Sequence, residues 1–209
     1  GGGYVRHPLW REARATAYLA REVPAWRQEH PCYSCHNNGD AARALIAALG
    51  HAPEVRVALK DTLTWLADPG RWESNGGGEG GADDKPLARI QFAHATTAAF
   101  AAALVPKAAV FSAAAIVGAL QQPDGSWRLD SSDSLGSPAT YGTALATAFA
   151  RRTLAASRLP AFDERIARAE RWLGRAEVSN VPDAGAILMA FTDSSVTRVP
   201  DNWRGALDL

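Results

Sequence analysis

Cys32, Cys35 and His36 stand together in "PCYSCHNN" (31–38) and use up both cysteines of the chain. Two thiols at this spacing lie about one helical turn apart, with an imidazole beside the second. Such a group can form two thioethers while the imidazole ligates a metal held alongside. It can also cycle between dithiol and disulfide, or serve as part of a structural metal site. Structural zinc needs four ligands, usually a second C-x-x-C or a spaced histidine pair, and the chain has no second cysteine pair. Adjacent Cys35 and His36 are also awkward on one tetrahedral ion. A thioredoxin-like exchange site expects a βαβ setting, for which the sequence has no pattern. The segment runs directly into "NNGDAARAL" (37–45), which reads as a polar helix start followed by a helix.

The pentapeptide C-x-x-C-H resembles the attachment site of c-type cytochromes, in which both thiols add across haem vinyl groups and the histidine ligates iron. The resemblance implies one covalent haem c held by Cys32 and Cys35, with His36 as proximal iron ligand. It also implies export to the periplasm or the extracellular space, with a signal peptide already removed. The expected activity is one-electron transfer to a redox partner protein. Two other classes stay open: a haem-bearing structural or assembly subunit of a larger complex, and a haem enzyme with an open distal site. The small cytochrome c fold does not fit. It is about half this length and places a methionine in a downstream loop, whereas the single methionine here, Met189, falls inside an expected helix.

Positioning these groups falls to helices. Alanine-rich segments with helical period alternate with loops rich in Gly, Pro, Asp and Ser, and period-2 alternation of β-branched residues is missing. The chain reads as one all-α domain over 1–209, with helices near 8–22, 39–50, 53–67, 88–105, 107–121, 139–155, 163–176 and 183–193. Short connections alternate with the long loops 23–38, 68–87, 122–138 and 177–182. The second helices of the pairs resemble one another: "GDAARALIAAL" (39–49), "AHATTAAFAAAL" (93–104), "ATYGTALATAF" (139–149) and "PDAGAILMAF" (182–191). Their small residues permit close helix approach, as the inner layer of an α/α repeat array requires.

One loop carries a second resemblance. "QQPDGSW" (121–127) places Gln121, Gly125 and Trp127 in the Q-x-x-x-G-x-W repeat of the squalene–hopene cyclase and prenyltransferase β-subunit superfamily, and "LADPGRWESNGGG" (66–78) looks like a degenerate copy. The likeness implies an array of about four α/α hairpins, a partial toroid where the family's full ring has six. In that family the tryptophan stacks and the glutamine bonds backbone to tie neighbouring helices. The family's Asp-x-Asp-Asp acid motif is absent: "LDSSDS" (129–134) offers Asp130 and Asp133 at the wrong spacing. Cyclase or prenyltransferase activity is therefore not expected. Four hairpins leave a terminal helix face uncovered, which predicts contact with another chain or a second copy.

Composition narrows the remainder. With 22 basic and 22 acidic residues the formal charge is zero, so nothing favours nucleic acid as a partner. The longest apolar stretch, 95–120, is interrupted by Pro106 and Lys107, and no membrane span is expected. Trp26 and Trp72 fall in the long loops on the Cys32 side, where they can shield a haem edge, and Arg71, Lys85 and Arg89 are candidates to neutralise propionates.

For the distal iron ligand the candidates are His7, His30, His51, His94, Met189 or no residue at all. His7 and His51 belong at the rim opposite His36, about 15–20 Å away at 1.5 Å per residue. His30 shares the loop of His36 and reaches the other haem face only with strain. Met189 belongs to the fourth hairpin. His94, on the inner helix of the neighbouring hairpin, is the expected distal ligand.

Overall fold

The computed structural model describes residues 9–30, 32–75, 85–129, 142–178 and 180–191. The described residues are all-α. Eight α-helices follow in order: α1 (Leu9–Glu29), α2 (Ala42–Ala48), α3 (Lys60–Leu66), α4 (Lys85–Ala101), α5 (Lys107–Ala119), α6 (Gly142–Ser157), α7 (Asp163–Leu173) and α8 (Val181–Phe191). A π-helical segment, Cys35–Ala41, leads directly into α2, and 3₁₀ turns occupy Pro53–Arg56, Pro69–Ser74 and Pro160–Phe162.

Helix pairing follows the expected hairpins. Within each of the pairs α1–α2, α3–α4, α5–α6 and α7–α8 the two helices pack together, and the second members pack in series, α2 on α4, α4 on α6 and α6 on α8. The result is an inner layer of four helices backed by an outer layer of four, as a partial toroid of four hairpins requires. Neighbouring inner helices run parallel, since Gly39 meets Gln91 and, further along, Arg43 meets His94. Outer-helix C-termini and inner-helix N-termini therefore share one rim, which carries both the Cys32–His36 segment and the Gln121–Trp127 loop.

Small residues set the helix spacing as expected. A Cβ on Gly39 would lie 3.1 Å from Gln91 Cβ, so the π segment approaches α4 about as closely as backbone allows. Ala42, Ala93, Ala95, Ala146 and Ala150 are all fully buried between helices, while Leu45, Phe92 and Ile187 fill the wider gaps.

Three boundaries differ from the sequence reading. The first helix runs on to Glu29 through Pro24 rather than stopping at 22. Proline removes only one helical hydrogen bond, and the fully buried Val23 anchors this turn in the core beside Leu45 and Leu59. The third helix does not begin at 53. Tighter i→i+3 bonds (Val57 N to Glu54 O and Leu59 N to Arg56 O, each 3.3 Å) carry the chain as far as Lys60. That winding directs Val55 and Leu59 into the same cluster. The second helix starts early, at Cys35, as a π turn.

The glutamine of the Gln121–Trp127 loop bonds backbone, and among the described residues the tryptophan is held by hydrogen bonds rather than by ring stacking. Gln121 Nε2 donates to Gly125 O (3.1 Å) and Arg165 O (2.8 Å), while its Oε1 accepts from Arg168 (2.7 Å), tying the end of α5 to α7. Trp127 is 1% exposed; its Nε1 donates to Val117 O (2.7 Å) and its backbone N to Thr147 Oγ1 on α6 (3.0 Å). The degenerate copy behaves alike. Trp72 is buried and donates to Trp65 O at the end of α3 (3.3 Å).

Candidate functional site around Cys32, Cys35 and His36

The motif sits in a short extended stretch that turns into the π segment, and its backbone is pinned from three sides. Ser34 caps the segment: its hydroxyl accepts from Asn37 N (3.2 Å), and its own N–H donates to Asn38 Oδ1 (2.9 Å). Asn38, 1% exposed, donates to Thr62 Oγ1 on α3 (2.8 Å) and Val23 O on α1 (3.4 Å). Asn75 closes a reciprocal pair with Tyr33, accepting from its N–H (2.8 Å) and donating to its carbonyl (2.9 Å). Loop 32–38 is thus held to both outer neighbours and to the next rim loop. Burying Asn38 without these partners would cost its full desolvation.

Within that frame Cys32 and Cys35 are half-buried and are not joined in a disulfide, and His36 is exposed at the first turn of the π segment. Cys35 packs against the central apolar cluster, which contains Tyr33, Trp65, Trp72 and Phe92. Tyr33 stacks on Trp65 with centroids 4.2 Å apart and planes 11° apart, Trp65 meets Phe92 edge-on at 5.7 Å, and Phe92 meets Trp72 at 5.6 Å. The Tyr33 hydroxyl donates to Asp61 Oδ1 (3.0 Å), and the Arg27 guanidinium lies 5.0 Å over its ring. Burial, with Asp61 adding to it, pushes the phenol above its ordinary pKa against the opposing pull of Arg27.

The donor set fits a covalently attached macrocycle. Two partly accessible thiols, one in the extended stretch and one opening the π segment, adjoin an exposed imidazole, and Cys35 packs against the central apolar cluster. Among the described residues no three His, Cys, Asp or Glu side chains converge to cage a bare metal ion. Haem iron needs no such cage, because the porphyrin supplies four of its ligands.

Of the candidate site residues, Cys32, Cys35 and His36 share one short segment and His94 is set apart from it. His94 lies level with Arg43, seven positions beyond His36, roughly 10 Å further along the inner layer. Arg43 donates to its Nδ1 (2.6 Å), and its ring packs on Phe149 of α6 at 3.8 Å. Burial, with Arg43 and Arg152 adding to it, pushes its pKa down to about 2, so the ring is neutral with its proton on Nε2. Ligation through Nε2 would require that proton to leave and Arg43 to let go. His30 stacks on Trp26 at 3.8 Å with Nδ1 against Trp26 O. His51 pairs with Glu12 (3.1 Å) at the opposite rim, as expected. His7, Asp130 and Asp133 lie outside the described residues. Met189 packs against the central cluster, and its carbonyl accepts from Arg152 (3.0 Å).

Of the residues expected to flank a cofactor, Trp26 remains near the motif, half-buried against His30, whereas Trp72 is core. Arg89 is paired with Glu73, Arg71 lies over the Trp65 ring, and Lys85 opens α4.

Sequence reasoning did not single out Tyr33, Asn38, Asp61 or Asn75. Ser34 and Asn38, four positions apart at a helix start, carry a local capping signal. Nothing local marks Asn75, which reaches Tyr33 from 42 positions away. Comparison with protein-family models, with curated proteins and with solved structures finds no match to this chain.

Proposed function

We propose that this chain is an exported, monohaem c-type cytochrome that performs one-electron transfer to a redox partner protein in the periplasm or outside the cell. The observation that carries the reading is the C-x-x-C-H segment itself: two unbridged thiols, an exposed adjacent imidazole and a backbone pinned by Asn38 and Asn75. Cys32 and Cys35 would hold the porphyrin through thioethers, and His36 would be the proximal ligand. When bound, haem supplies the one-electron couple. The chain's own contribution would be to hold the backbone around the two sulfurs through Ser34, Asn38 and Asn75, and to seat Cys35 against the central apolar cluster.

His94 is the proposed sixth ligand, at the cost of its bond from Arg43. Among the described residues no helix is long and apolar enough to cross a membrane.

The test is mass. Full-length chain made together with a haem-attachment system should gain the mass of one haem under denaturing conditions and give a pyridine haemochrome spectrum. Cys32→Ala and Cys35→Ala should each reduce the covalent yield, and the double variant should abolish it. An unmodified wild-type mass overturns the reading. His94→Ala in the loaded protein should turn a low-spin spectrum high-spin, and an unchanged spectrum removes His94 from the proposal.

A further inference from the structure

We propose that Tyr33 and Asp61 form a one-electron, one-proton redox pair that drains strong oxidants arriving at the Cys32–Cys35 edge. This extends the electron-transfer reading to a residue of the chain itself and rests on that reading for its physiological oxidant.

Four observations meet at this residue. Tyr33 lies between the two thiols in sequence and is 9% exposed, and Cys35 packs against the apolar cluster that contains its ring. The phenol already has a base in place: its O–H donates to Asp61 Oδ1 at 3.0 Å, and Asp61 itself is exposed and can pass a proton on to water. The Arg27 guanidinium over the ring disfavours any cationic ring, so loss of the electron is tied to loss of the proton. Lastly, Trp65 is stacked on Tyr33 but cannot finish the same reaction. Its Nε1–H is buried with no hydrogen-bond acceptor, so an oxidised indole there keeps its proton and its charge. An electron vacancy shared between the two rings therefore settles on Tyr33.

The step balances simply. One electron passes from the phenol to an outer-sphere one-electron oxidant. The O–H bond breaks and the proton bonds to Asp61 Oδ1. The products are a neutral tyrosyl radical, a neutral carboxylic acid and an oxidant reduced by one electron. Return of an electron and the proton restores the pair.

The experiment is flash photolysis of the full chain as purified, any haem iron being ferric, with a dissolved ruthenium trisdiimine photo-oxidant and a sacrificial acceptor. Transient absorption and freeze-quench electron paramagnetic resonance follow the tyrosyl radical. Wild type should form it. Tyr33→Phe, which keeps the stacked ring, should lose most of the yield, leaving the background from Tyr4, Tyr18 and Tyr141. Asp61→Asn should slow its formation about a hundredfold, the low end for a positioned base, and change its solvent deuterium isotope effect. An undiminished yield in Tyr33→Phe, or an unchanged rate in Asp61→Asn, overturns the proposal. Intact mass recorded on the same sample separates the two ideas. A Tyr33 signal on an unmodified chain would end the haem reading alone, and a haem mass with no Tyr33 signal would end this one alone.

Discussion

Replacing Gly125 by alanine tests how the Gln121–Trp127 loop holds α5 to α7. Gly125 has φ +98°, and a Cβ built there would meet Arg168 O at 2.4 Å and Arg168 C at 2.7 Å. The backbone conformation alone costs a side chain about 1–3 kcal/mol. The overlap cannot be relieved by a rotamer, because its far side is the backbone of α7. The loop must instead retreat by roughly an ångström, the distance by which 2.4 Å falls short of ordinary contact. Such a shift stretches the Gln121 bonds to Gly125 O and Arg165 O, and losing one or two of these adds about 1 kcal/mol each. The sum is about 2–5 kcal/mol, or roughly 10 °C in Tm for a domain of this size. Urea titration followed by far-ultraviolet circular dichroism measures it. Gly185→Ala is the control: nothing lies within 4 Å of the added methyl, which should stabilise α8 by about 0.5–1 kcal/mol. A Gly125→Ala protein within about 1 kcal/mol of wild type would show that the loop is not clamped against α7 and would refute this account.

Other outcomes follow from single residues. His94 has a folded pKa of about 2 against an ordinary 6.5, so below pH 6.5 only the unfolded chain takes up this proton. Stability is full above pH 6.5 and falls as pH drops, by about 2 kcal/mol at pH 5. In His94→Gln, whose amide oxygen can still accept from Arg43, that slope should vanish in denaturation curves across pH 7 to 5. Trp127→Phe leaves the Val117 carbonyl without its 2.7 Å donor and opens a small cavity, which should cost about 2–3 kcal/mol in urea midpoint. Asn75→Ala removes both bonds that pin Tyr33 and should speed amide exchange across 33–38 without changing overall helicity, as hydrogen exchange can read.

Much of the architecture was legible because its determinants are local. Alanine-rich periodicity marks α4, α5 and α6 nearly to their ends, and Pro106 and Pro160 mark the turns before α5 and α7. The Gln121–Trp127 loop was legible for a different reason: its three residues act on backbone within or beside their own hairpin. What escaped were features decided by tertiary partners. Pro24 reads as a helix stop, yet the buried Val23 keeps α1 going to Glu29. The π turn at Cys35 has no compositional sign, being set by Asn38 reaching α1 and α3 at once. At the candidate site Cys32, Cys35 and His36 were legible as a motif. The environment of His94 was not, because Arg43 and Phe149 come from two other inner helices.

The π segment also sets the angular phase between the thiols and the rest of the inner layer. A π turn closes bonds five residues apart, as Ala42 N does onto Asn37 O, and so holds one residue more than an α turn. Each residue of an α-helix advances the azimuth by about 100°. Cys35 and His36 are therefore rotated by about that angle from where an uninterrupted α2 would point them. The aim of the thiols is thereby uncoupled from the packing of α2 against α4. A one-residue deletion within 37–41 could restore α geometry, leave Leu45 and Ile46 seated, and turn His36 to a different side of the rim. Direction at this site is therefore set by residue number in a turn whose Gly39 also seats against Gln91 and whose Asn38 also holds α1 and α3.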